Sequence, residues 1–92
     1  MSRDLKDRAA EAAFLRALGK RVRLLWLVQE LTQEELAQAA GMSRSFVSLI
    51  EKGSHGVDVV RLLRLANALQ VSLPELLDVG ASEADRVEGL PS

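Results

Sequence analysis

The chain has 92 residues, 48% of them apolar and 27% charged, with no cysteine, one histidine and a formal net charge of −1. That length holds one domain with a modest core and not two, and the composition excludes a disulfide framework, a thiolate metal site, a cysteine nucleophile and a conventional zinc site built on the lone His55. No run approaches twenty apolar residues and the start "MSRDLKDRAAEAAF" lacks the basic and apolar regions of a secretory signal, so the expectation is a soluble, cytoplasmic protein with no membrane partner.

The first predicted element is a helix. Leu15, Leu18, Val22 and Leu25 recur at helical spacing and mark one buried stripe, with an end expected near Glu30. In "LTQEELAQAA" Thr32 is placed to cap a second helix, Glu35 to reach back to the cap's own amide, and Leu31 to staple onto Leu36. After Gly41, "SRSFVSLIEK" reads as a third helix begun by Ser43 and stopped before Gly53. "GSHG" is loop, with His55 an ordinary member of it. Val59, Leu62, Leu65, Ala66 and Leu69 form the inward side of a fourth helix, and "VSLPELL" repeats the earlier device in a short fifth, with Ser72 as cap and Glu75 as its partner. No run alternates with a period of two, so the fold is expected to be all-α. The expected organisation is an N-terminal helical extension over residues 1–13, a domain over 14–79 and a flexible acidic tail over 80–92.

The near-neutral total conceals a gradient. Residues 16–64 carry eight Lys or Arg against five acids, while the two ends carry four against eight. The central excess favours a polyanionic partner.

Two helices joined by a short turn containing glycine suit a helix-turn-helix, and the sequence meets its demands. Ala37 is small where the helices approach, Gly41 occupies the turn, and Leu36, Ala40, Met42, Val47 and Ile50 face the core. With Val47 and Ile50 inward, a step of about 100° per residue turns Ser45, Leu49 and Lys52 outward, puts Ser48 on the flank and projects Arg44 from the first turn. An arginine there opposes the helix dipole, which favours a functional reason for it. The guanidinium of Arg44 is suited to fork onto guanine, Ser45 and Ser48 to less selective hydrogen bonds, and Leu49 to a thymine methyl.

The segment "LTQEELAQAAGMSRSFVSLIEKG" followed by "LLRLANALQVSLPELL" resembles the Cro/C1-type (XRE-like) helix-turn-helix family of phage repressors and bacterial regulators, over about residues 18–77. The resemblance implies a five-helix, lambda-repressor-like DNA-binding domain whose third helix enters the major groove of double-stranded DNA, working in pairs on a palindromic operator. It also implies that Gln33 grips a phosphate or orients the recognition helix. Ser43, Arg44, Ser45, Ser48 and Leu49 match positions facing DNA, and Lys52 with the loop after it matches backbone contacts. Two positions depart from the pattern. Trp26 stands where relatives often place an arginine that pairs with the glutamate matching Glu51, so the partner of Glu51 is open, and Phe46 replaces a frequent hydroxyl and is expected to pack.

The function these features imply is a sequence-specific transcriptional regulator, a repressor acting as a homodimer. The alternative is an antitoxin or adaptor that uses the fold to bind another protein. An enzyme, a cofactor and a metal are not expected, since no nucleophile–base pair, ligand cluster or phosphate-cradling glycine loop appears. Leu24, Leu27 and Val28 form a second apolar stripe on helix one, with Val60 and Leu63 as candidate additions. It requires a cover, either the N-terminal segment or a second subunit, and the sequence leaves both open.

Overall fold

A computed structural model describes residues 5–79, which form five helices: α1 (Leu5–Val28), α2 (Gln33–Ala40), α3 (Arg44–Lys52), α4 (Val59–Ala68) and α5 (Leu73–Leu77). The expected tail over residues 80–92 lies outside the described residues. Among those described there is no strand, and no helix is long and apolar enough to cross a membrane.

Each of the last four helices starts on a side-chain cap. Thr32 Oγ1 accepts the Glu35 amide at 3.0 Å while Glu35 Oε1 accepts the Thr32 amide at 2.8 Å, and Ser72 and Glu75 make the same reciprocal pair at 3.1 and 2.8 Å. Ser43 Oγ takes the Phe46 amide at 3.0 Å and Asp58 Oδ1 the Arg61 amide at 2.9 Å. Such caps are each worth about 1 kcal/mol.

The first four helices also stop alike. After each, two successive amides fold back to carbonyls of the last turn: Glu30 and Leu31 to Leu27 and Trp26, Gly41 and Met42 to Gln38 and Ala37, Gly53 and Ser54 to Ile50 and Leu49, Gln70 and Val71 to Asn67 and Ala66. The pattern forces a left-handed residue at the hinge. Gly41 and Gly53 adopt it at φ of 68° and 70°, while Glu30 and Gln70 do so at 59° and 60° despite their β-carbons. Helix one therefore ends at Val28, two residues before the end expected from the sequence.

The core gathers Leu18 and Val22 from α1, Leu36, Ala37 and Ala40 from α2, Val47 and Ile50 from α3, Leu65 and Ala66 from α4, and Leu69 and Leu76 beyond it. Burying each large aliphatic side chain contributes about 1.5–3 kcal/mol. Helix α1 runs along α3, α2 wedges between α3 and α4, and α5 closes against α1 and α4. One expected core position is corrected: Val59 is 69% exposed, because the first residue of α4 projects beyond its packed neighbours.

From Leu5 onward the N-terminal segment is continuous with the rest of α1 as one 24-residue helix. A continuous helix does not double back over its own C-terminal turn, and Leu24, Leu27 and Val28 are 55%, 49% and 70% exposed. Val60 and Leu63 on α4 are open as well.

The caps of α4 and α5 each include a carboxylate that the fold makes more acidic. The Arg61 amide first, then its guanidinium at 2.5 Å, holds the Asp58 carboxyl below its ordinary value of 3.8, and the Ser72 amide holds Glu75 below 4.5. A carboxylate more acidic in the folded chain stabilises the fold above its unfolded value and loses that contribution as pH falls through the lower folded one. Thermal melts followed by circular dichroism are thus expected to be flat near neutrality and to decline below about pH 4.5, with Asp58→Asn and Glu75→Gln each weakening the dependence on pH.

Candidate nucleic-acid interface

Helix α3 is anchored by one side and open on the other. Val47 and Ile50 are 0% and 1% exposed, while Arg44, Ser45 and Lys52 are exposed and Ser48 and Leu49 half-buried. Gln33, the first residue of α2, joins those five in lining a single open concavity. Six of the seven DNA-facing residues expected from the sequence therefore share one surface. The seventh, Ser43, is the N-cap of α3, its Oγ occupied by the Phe46 amide. The helix carries no acid in its first turn and Lys52 in its last, and its first two amides, of Arg44 and Ser45, precede the first intrahelical bonds, which suits the approach of an anion. Phe46 packs against the core as expected, with the Arg61 guanidinium 4.9 Å from its ring centre.

A chain of side chains holds this surface from beneath. Arg44 Nε donates to Gln33 Oε1 at 3.2 Å, and Gln33 Nε2 donates to Glu51 Oε1 at 3.0 Å. The second carboxylate oxygen, Oε2, accepts the Trp26 indole N–H at 2.5 Å. The Glu51 side chain is only 10% exposed, so its charge needs these donors, and Arg23 Nη1 lies 3.8 Å from Oε1 as a further cation. The same guanidinium sits 5.8 Å from the centre of the Trp26 ring. With Nε tied to Gln33, the exposed Arg44 keeps its two terminal nitrogens for the edge that a bidentate contact uses.

The sequence matches the helix-turn-helix family over residues 29–76, which takes in α2, α3 and α4. This chain belongs to the Cro/C1-type helix-turn-helix family. Control protein C.SmaI of Serratia marcescens is 35% identical over 60 residues, covering 65% of this chain and 71% of that protein. Among solved structures, the restriction-modification controller protein C.AhdI from Aeromonas hydrophila is similar at 41% identity and a TM-score of 0.68, over 70% of this chain and 97% of that one. The clp gene regulator ClgR from Corynebacterium glutamicum is similar at 26% identity and a TM-score of 0.74, over 83% and 81%. A 40% identical stretch of 55 residues in a malate dehydrogenase of Neorickettsia sennetsu spans 18% of that protein, and the family itself is one of DNA-binding regulators rather than enzymes.

In this helix-turn-helix domain the partner of Glu51 is therefore a set: the Trp26 indole, the Gln33 amide and, at longer range, Arg23. Sequence reading flagged Trp26 only as a departure and missed Arg23 altogether. The available signal was spacing, since Arg23 precedes Trp26 by three residues and so shares its side of the helix.

Proposed function

We propose that this DNA-binding protein is a sequence-specific repressor that reads a palindromic operator as a homodimer. The observation that carries the reading is the concavity of Gln33, Arg44, Ser45, Ser48, Leu49 and Lys52, presented by a helix whose opposite side is locked in the core. In this reading Arg44, Ser45, Ser48 and Leu49 contact base edges, and Gln33, Ser43, Lys52 and the free amides of α3 fix register on phosphates. The exposed Leu24, Leu27 and Val28 supply the contact between subunits, which sets the two recognition helices about 34 Å apart, one turn of duplex. Repression follows from occupying DNA that a polymerase or activator needs.

The same apolar set favours the second reading, an adaptor or antitoxin that covers it with another protein. A binding titration against random duplex across a salt series separates the two. The regulator is expected to bind with log K falling linearly in log salt, and selection from a random library to return a two-fold symmetric site. Absence of duplex binding at low salt would refute the regulator, and an asymmetric selected site would refute the homodimer.

A further inference from the structure

Helix α1 carries a basic stripe outside the residues that line the concavity. Arg16, Lys20 and Arg23 recur at spacings of four and three and so share one side of the helix, flanked on it by Ala13 and Leu27. The three basic residues are exposed and no acid lies among them. Among the described residues no acid is paired with Arg16 or Lys20, and Arg23 leaves 60% of its side chain in solvent while neighbouring Glu51.

The stripe is fixed in register beside α3. A β-carbon on Gly53, the residue after Lys52, would lie 2.9 Å from the Cα and N of Arg16, so the end of the recognition helix abuts the start of the stripe. At the other end, Arg23 reaches the Glu51 oxygen that also accepts Gln33. The basic groups therefore extend alongside the concavity from its Lys52 end to its Gln33 end, over about 10 Å of helix, the axial rise of about three phosphates on one strand.

We infer that Arg16, Lys20 and Arg23 form a second edge of the DNA interface, gripping the phosphates that border the groove entered by α3. The inference rests on the DNA-binding reading above. It draws on continuity with that surface and on charge, not on base chemistry, so it adds affinity without sequence preference. The central excess of positive charge along the chain then has a location.

The test is fluorescence anisotropy of the full chain on a labelled random duplex of about two helical turns, from about 50 to about 200 mM salt. Removing one phosphate interaction reduces the slope of log K against log salt by about 0.9. Lys20→Ala, which breaks no ion pair among the described residues, is expected to lower the slope by about 0.9 and the triple Arg16→Ala, Lys20→Ala, Arg23→Ala variant by roughly 2–3. Arg61→Ala removes a charge that is stacked on Phe46 and paired with Asp58 outside the concavity, and is expected to leave the slope nearly unchanged. Duplex binding with the same slope in wild type, Lys20→Ala and the triple variant would overturn the second edge alone, as would an equal fall in Arg61→Ala. A wild-type protein that binds no duplex would overturn the DNA reading and this inference with it.

Discussion

Gly19→Ala is expected to destabilise the fold by about 3 kcal/mol, the upper end of overpacking costs, and to lower the melting temperature by roughly 15 °C. Helix propensity alone predicts the opposite sign, because alanine in a helix interior is favoured over glycine by about 1 kcal/mol. The close approach of α1 and α3 decides between them. A β-carbon at Gly19 would stand 2.4 Å from the Glu51 carbonyl oxygen and 2.6 Å from that of Ile50, and both obstacles are backbone, which cannot swing aside as a flexible side chain can. Relief requires the two helices to separate, loosening Leu18 and Val22 from Ile50 in the core. Thermal melts of the two proteins measure the effect, and an unchanged or raised melting temperature would show that the helices do not meet this closely.

Glu51→Ala is expected to cost about 2–4 kcal/mol, since removing an acceptor whose side chain is only 10% exposed strands its donors at about 1–3 kcal/mol each. The Trp26 indole loses its partner outright, while Gln33 retains some access to water. Trp26→Phe removes one donor and leaves the carboxylate with Gln33 and Arg23, so a loss of about 1 kcal/mol is expected there. Denaturant titration gives the stabilities. Trp26 is the chain's one tryptophan, so its emission reports the same event, shifting to longer wavelength in Glu51→Ala as the indole finds water. A stability change below about 0.5 kcal/mol with unchanged emission would mean that this partly buried network does not exist in solution. Its functional consequence is orientation: once Gln33 is free, Arg44 loses the acceptor that holds its Nε.

Local signals carried most of what the sequence disclosed. The reciprocal caps at Thr32 and Ser72, the hinges at Gly41 and Gly53, and the inward positions Leu36, Val47 and Ile50 depend on residues within a turn or two of one another, and all are found in the fold. Signals that depend on distant partners were not legible. Gly19 looks like an ordinary helical glycine until residues more than thirty positions away arrive against it. Glu51 acquires donors 25 and 18 residues upstream, and neither separation has a periodicity to betray it. Glu30 and Gln70 occupy left-handed hinges that composition assigns to glycine or asparagine. The six lining residues of the concavity were legible because a single helix carries five of them, and the position of α2 brings in the sixth.

The central claim is that α3 presents Arg44 to the edge of a base. Comparing wild type with Arg44→Ala on a duplex selected by the wild-type protein tests it most directly. A bidentate contact is worth about 1–3 kcal/mol, so affinity is expected to fall by roughly 5-fold to 150-fold and the preference at one base pair to disappear, with melting and helicity unchanged. Equal affinity and equal preference in a variant that remains folded would contradict it.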